Sequence, residues 1–459
     1  DETTVSLNNS FQSMKYLFVL AACSLLVMSS FAAEIPKPED PYFEPFHPKA
    51  FTAATSIRLK KGDRLAICGD SITEQKMYSR IIETYLTVCR PDLKISVRQY
   101  GWGGETASGF LARMTNDCLR FHPTVATTCY GMNDHGYGPY NEGIGKLYRE
   151  KSTAIVRSFK ATGARVVQGS PGCVSHKPVE LNTNLCQLRN IGVEIAEAEK
   201  TSFADVFWPM LTAESKAHQI YGTNYWIAGD DGVHPGWSGH TVMAYAFLKA
   251  LGLDGNIGTI NLDLGSGKAK ASTGHKIINS KPGEVEIRSS RYPFCANGEL
   301  NKADSVRSAM TLIPFNQELN RFILVAKNGK ASTYKVSWGK ESKRFSAEQL
   351  AKGINLAEEF VDNPFMAAFK KVDGAVSAKQ NYETKQIKDV FHDLVNGKWK
   401  SEEEIKDPEI KQLFALRKAD GKWDLDRIAA ATEKTRTPLA EAIRASFVPV
   451  THTITITSE

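Results

Sequence analysis

The chain has 459 residues, 42% hydrophobic and 24% charged, the balance of an ordinary globular protein long enough for two or three domains. Its formal charge of +6 is small and its lysines and arginines are spread along the chain, which excludes a basic block of the kind that binds nucleic acid. It has no phosphate-binding glycine loop of the Walker type and no internal repeat. From Met14, Lys15 precedes an apolar run from Tyr16 to Met28, and Ser30-Phe31-Ala32 puts small residues where a signal peptidase cuts. Residues 14–33 are therefore expected to be a signal peptide, with the mature protein periplasmic or extracellular. A second reading takes Leu20-Ala21-Ala22-Cys23 as a lipoprotein box, anchoring the chain at Cys23. The run falls short of the ~20 residues that span a bilayer, and no stable membrane insertion is expected.

Residues 50–255 alternate strand and helix patterns. The apolar run Leu65–Cys68 is followed by a helical pattern from Glu74 to Cys89, a strand from Ile95 to Tyr100 and a helix from Thr106 to Phe121. A third strand, Thr124–Tyr130, leads to the helix Asn141–Thr162, the strand Ala164–Gln168, the helix Leu185–Lys200 and the strand Phe203–Phe207. Such alternation predicts an α/β fold with a mostly parallel five-stranded sheet, and right-handed crossovers bring the carboxyl ends of its strands to one edge. A last helix, Ser238–Leu251, closes the segment.

The segment carries four pieces that bear on chemistry, and Ser71, Gly104 and Asn133 fall at that edge. Gly69-Asp70-Ser71-Ile72-Thr73 delivers a serine to the end of the first strand. Asp231-Gly232-Val233-His234-Pro235 sets a carboxylate and an imidazole three positions apart. A serine hydroxyl needs a base, and His234 has the nearest suitable intrinsic pKa, with Asp231 placed to accept the other ring N–H. Gly103-Gly104 and Gly131-Met132-Asn133-Asp134 lie between them. The candidate oxyanion donors are the N–H of Ser71, the N–H of Gly104 with Gly103 as fallback, and the amide of Asn133. Candidate pocket residues are Asp70, Trp102, Asp134, Tyr137, Trp226 and Trp237.

In this order the four pieces resemble the SGNH hydrolases, also called GDSL esterases, over roughly residues 60 to 252. The resemblance implies a flavodoxin-like three-layer α/β/α domain with Ser71, His234 and Asp231 as catalytic triad, and Ser71, Gly104 and Asn133 as oxyanion hole. One departure is Gln99, where many relatives have asparagine. The family acts on carbohydrate acetyl groups, lysophospholipids and acyl thioesters from a shallow, open site. An exported esterase removing acetyl or other short acyl groups from carbohydrates is the expectation, with an acylated carbohydrate or other small ester as its partner. Neither metal nor organic cofactor is expected. A lipase, lysophospholipase or thioesterase is the alternative, followed by a non-catalytic carbohydrate-binding protein.

Beyond Leu251 the texture changes. Short alternating segments predict a small antiparallel β module over 256–345, a charged helical segment follows over 346–447, and 448–459 reads as a strand returning to the β module. The helical stretch is expected to be inserted in that module or packed across it. Tyr292, Phe294, Trp338 and Trp423 are sugar-stacking candidates that belong more naturally to a core. Of eight cysteines, Cys173 and Cys186 flank a loop and form a candidate disulfide after export.

Overall fold

Five strands, β1 (Arg64–Gly69), β2 (Ser96–Gln99), β3 (Val125–Cys129), β4 (Arg165–Gly169) and β5 (Ser202–Ala204), pair in parallel in the order β2-β1-β3-β4-β5. They belong to a computed structural model that describes residues 35–52, 57–418 and 420–459. The expected signal peptide and Cys23 lie outside those residues. β3 is buried at every position and β1 at all but its first, as strands covered on both faces must be. The pleat sorts their side chains. Leu65 and Ile67 join a cluster with Tyr85 and Phe247, while Ala66 and Cys68 join another with Phe110 and Phe159. The fold is therefore α/β in three layers.

The helices around the sheet are α1 (Ser71–Glu74), α2 (Tyr78–Cys89), α3 (Ala107–Asp117), α4 (Glu142–Ala161), α5 (Val179–Ala198), α6 (Phe207–Tyr221) and α7 (Trp237–Ala250). The single helix expected over 74–89 is two, because Asp70 caps a one-turn helix and Lys76 then takes a left-handed φ of 56°. The fifth strand is shorter than expected and α6 is an added helix. Asp205 accepts the Trp208 N–H at 3.2 Å and turns the chain, so the apolar run Phe207–Leu211 begins a helix. Among the described residues no helix is long and apolar enough to cross a membrane.

Nine further strands build the C-terminal β-rich module: β6 (Asn256–Asp263), β7 (Ala269–Ala271), β8 (His275–Lys281), β9 (Glu284–Ser289), β10 (Arg321–Lys327), β11 (Thr333–Trp338), β12 (Glu341–Ser346), β13 (Ile354–Asn355) and β14 (Val450–Ser458). They form two sheets, β13-β10-β6-β7 and β12-β11-β14-β9-β8. Phe322 of the first meets Trp338 and His452 of the second, with ring centroids 5.8 and 6.1 Å apart. Tyr292, Phe294 and Trp338 are core side chains. Two expectations need correction. The module is not wholly antiparallel: β6 and β10 pair in parallel, because the chain crosses to the other sheet and through two short helices between them. Cys173 and Cys186 are both free thiols, buried in the main apolar cluster.

The helical segment is inserted in the module between β13 and β14, but its long helices pack on the α/β domain. Its helix Met366–Lys385 lies on α2 and against the open edge of β2, joined there by the helix Leu425–Ser446. Lys379, only 1% exposed, pairs with Glu83 at 3.0 Å and Glu383 at 2.8 Å, and Arg436 pairs with Glu383 at 2.8 Å. Lys379 and Arg436 both donate to the Val97 carbonyl, and Glu383 accepts the Gln99 N–H at 3.1 Å. Side-chain charges thus satisfy the backbone groups of an edge strand.

A buried polar chain runs between the two sheets of the β module. Trp338 Nε1–H donates to His452 Nδ1 at 3.0 Å, so His452 Nε2–H donates to Ser289 Oγ at 2.9 Å. The Ser289 hydroxyl then donates to His275 Nδ1 at 2.8 Å, and His275 Nε2–H to the Ile257 carbonyl at 3.1 Å. Both rings are neutral: burial pulls His452 down to about 3 and His275 below its usual value. Unfolded, both titrate near pH 6.5. Their contribution to stability is complete above about pH 6.5 and is lost as the pH falls toward the folded value, at up to about 1.4 kcal/mol per pH unit per ring. His452→Gln is expected to flatten the acid-side slope of stability by about one ring's share. Denaturant titrations at pH 7, 6 and 5 read it, and an unchanged slope would contradict a neutral buried His452.

Candidate active site

Ser71 stands at the first position of α1, directly after β1. Gly69 permits the turn, since a Cβ there would meet Thr73 Oγ1 at 2.0 Å and the Cys129 carbonyl at 2.9 Å. Asp70 caps α1 by accepting the Ile72 N–H at 3.0 Å. Ser71 Oγ lies 2.8 Å from His234 Nε2, and His234 Nδ1 lies 2.7 Å from Asp231 Oδ2. Asp231 Oδ1 also accepts the N–H groups of Val233 and His234, each at 2.8 Å. With a carboxylate facing Nδ1, the ring proton sits on Nδ1 and Nε2 is free to accept the serine proton. Partial burial nudges the Asp231 carboxyl upward, but the hydrogen bonds from His234 and Val233 outweigh it and hold the group below its usual range. The site is open: the His234 and Asp231 side chains are 38% and 57% exposed.

The three candidate oxyanion donors come from three adjacent strands. The Ser71 N–H, at a helix start, and the Gly104 N–H have no partner among the described residues. Gly104 has a φ of 72°, a conformation that glycine adopts without strain. Asn133 gives one amide hydrogen to the Glu105 carbonyl at 3.0 Å and accepts the Tyr137 hydroxyl at 3.1 Å, which aims its second hydrogen. The fallback Gly103 is removed as a donor, because its N–H goes to Glu74. Gln99 is buried and gives its amide to the Gln380 carbonyl and Thr384 Oγ1, while its Oε1 accepts the Gly101 N–H.

The suggested pocket residues divide. Asp70 is buried, its pKa pushed up to about 7 by desolvation with Asp134 and Glu105 adding to it, and it acts as a helix cap. Asp134, lifted by burial to about 6, accepts the N–H groups of Ala107 and Gly131 and ties the β3 loop to α3. Neither carboxylate is a pocket wall, since both are spent on backbone N–H groups. Tyr137 is exposed beside Asn133. Trp102 packs against His392, with ring centroids 4.8 Å apart. Trp237 lies under the Arg80 guanidinium, and Trp226 sits between His176 and His218 on the far side of the Asp231 loop.

Three supports were missed from sequence. His240 of α7, kept neutral by burial with its pKa near 3, accepts the Tyr78 N–H and meets Gln75, whose amide donates to the Pro235 carbonyl at 3.3 Å. Glu214 of α6 accepts the Ile227 N–H and the Ser175 hydroxyl, and Ser175 Oγ accepts the Ala228 N–H at 2.9 Å. Glu74 holds the Gly103 N–H with one carboxylate oxygen and pairs with Lys388 through the other. Glu74 was visible three residues after Ser71, but no local signal points to a lysine 314 positions away.

A family model described as the GDSL-like lipase/acylhydrolase family matches residues 67–242. An acetylxylan esterase of Geobacillus stearothermophilus is 23% identical over 222 residues, covering 43% of this chain and 98% of that protein. A solved structure described as a gut microbial diltiazem-metabolizing enzyme is 23% identical, with a TM-score of 0.69 over 88% of this chain and 99% of that one. This second likeness concerns the fold and extends it over the C-terminal half.

Lys388 neutralises and orients Glu74, which fixes the loop carrying Gly104. Lys388→Met is expected to lower kcat on a small ester about tenfold with KM little changed, because a small displacement of a candidate oxyanion donor is expensive. Lys388→Arg is expected to restore most of it. An unchanged kcat in the methionine variant would show that Glu74 holds Gly103 unaided.

Proposed function

We propose that this chain, which the model of the GDSL-like lipase/acylhydrolase family matches over residues 67–242, is an exported serine esterase that removes acetyl or other short acyl groups from carbohydrates. The observation that carries this reading is the unbroken chain Ser71 Oγ, His234 Nε2, His234 Nδ1, Asp231 Oδ2, with links of 2.8 and 2.7 Å. Its openness to solvent suits an ester displayed on a polymer. The acetylxylan esterase relative supports the substrate class, and the expected signal peptide at 14–33 suits an extracellular polysaccharide.

The reaction proceeds in two steps. His234 Nε2 takes the Ser71 proton as Oγ attacks the ester carbonyl, and the negative charge that develops on the carbonyl oxygen meets the N–H groups of Ser71 and Gly104 and the amide of Asn133. The tetrahedral adduct collapses, His234 gives its proton to the departing sugar oxygen, and an acyl-Ser71 ester remains. Water then attacks that ester, its proton passing to His234, and the second collapse returns the proton to Ser71 and releases the acid. Asp231 stays ionised throughout and stabilises the imidazolium in each step.

Ser71→Ala is expected to lose several orders of magnitude in rate without loss of fold, and Asn133→Ala about a hundredfold. Hydrolysis of p-nitrophenyl esters of two, four, eight and twelve carbons checks both the mechanism and the acyl size. Activity concentrated on acetate and lost with Ser71 is the expected result. A near-normal rate in Ser71→Ala would overturn the mechanism, and a preference for eight carbons or more would move the reading to lipids.

A further inference from the structure

A cavity of about 550 Å³ opens behind the Asp231–His234 loop, lined by Asp40, Tyr42, His176, Glu214, Gln219 and Trp226 among others. Its volume falls in the range of small-molecule sites. One wall is the backbone that leads to the triad. His176 Nε2 bonds to the Asp230 carbonyl at 3.1 Å, the Ser175 N–H donates to the Gly232 carbonyl at 3.0 Å, and Gly232 packs against Lys177. Occupation of the cavity would therefore be felt one residue from Asp231.

Glu214 is 8% exposed, yet only one of its carboxyl oxygens is used: Oε2 accepts from Ser175 and Ile227, and Oε1 has no partner among the described residues. Desolvation lifts its pKa to about 7. The free oxygen on the cavity wall is an acceptor open to a ligand. The indole N–H of Trp226 likewise has no partner among the described residues, and its ring is held between His176 and His218 at 4.7 and 5.4 Å.

The mixture of groups selects the ligand. Carboxyl groups at Asp40 and Glu214 and the ammonium of Lys177 put both signs of charge on the wall, which favours neither an anion nor an acyl chain. Among the described residues no group of three His, Cys, Asp or Glu side chains could hold a metal ion, which sets a metal aside. What remains is acceptors, an amide, imidazoles and an indole around one space, the arrangement that satisfies a neutral ring carrying many hydroxyl groups. We propose that this cavity is a saccharide subsite, which holds a sugar unit of the substrate behind the Asp231–His234 loop, away from the acylated one. The proposal rests on the carbohydrate-esterase reading above and adds where the polymer lies.

Binding of an unacylated oligosaccharide does not require hydrolysis, so the test separates the two readings. A neutral xylo-oligosaccharide and a cello-oligosaccharide are titrated into the full chain and into Ser71→Ala, following heat and tryptophan fluorescence. The expected result is saturable binding of at least one sugar, retained in Ser71→Ala and weakened about tenfold or more in Trp226→Ala. Glu214→Gln, which keeps the side chain's shape, serves as second variant should Trp226→Ala not fold, and is expected to weaken binding as well. No binding of either sugar, or equal binding in both folded variants, would overturn the subsite. Ester hydrolysis without sugar binding would sink the subsite alone, and sugar binding with hydrolysis indifferent to Ser71 would sink the esterase mechanism alone.

Discussion

The geometry of the site depends on the reversal of strand order in the parallel sheet. Counting from the first strand, the chain builds outward to β2, returns across β1 to β3 and continues to β5. Where the direction of winding changes, the loops after neighbouring strands diverge and leave room for a ligand at their carboxyl ends. β1 and β3 flank that point in strict register, Gly69 opposite Cys129, so the loops bearing Ser71 and Asn133 emerge side by side. On the other side Ile67 pairs with Gln99, which brings Gly104 to the same edge. Three donors reach one place without any long-range element having to carry them there.

Asp231 and His234 lack that advantage, because they follow a helix and a loop, not a strand of the sheet. Other contacts hold them. Glu214 and Ser175 grip the backbone at Ile227 and Ala228, and Gln75 grips Pro235. Asp231 then closes a turn on its own segment through Val233 and His234. The histidine is thus referenced to α1, the helix that begins with Ser71, and the two side chains share one frame. The C-terminal half contributes from the opposite flank. Lys379, Glu83, Glu383 and Arg436 bury a charge network at the edge of β2, where loss of a single partner would cost about 3–5 kcal/mol. That network anchors the helix whose continuation carries Lys388 to Glu74.

The parallel sheet and the serine, histidine and aspartate motifs were legible because each is local: an apolar run, a glycine turn, a three-residue spacing. The handedness of βα crossovers then predicts that the loops bearing Ser71, Gly104 and Asn133 share one edge. What stayed hidden depended on contacts between distant parts of the chain. Phe207–Leu211 reads as the end of a strand until Asp205 turns it into a helix. Asp70 and Asp134 look like pocket carboxylates in sequence, and only the backbone N–H groups around them show that they are caps and ties. The helical segment gave no sign of its partner, since its inward face carries Lys379, Gln380 and Glu383, residues that a reader assigns to solvent. The parallel pairing of β6 with β10 was equally invisible, because it depends on where the intervening chain crosses between sheets.

The central claim is that Ser71, activated by His234, becomes covalently acylated. The most direct measurement is mass spectrometry of the protein after reaction with a p-nitrophenyl phosphonate, which stalls at the covalent stage. Stoichiometric modification of the peptide that carries Ser71, abolished in His234→Ala, is the predicted result. Modification at another residue, or labelling of Ser71 that is as fast without the histidine, would contradict it.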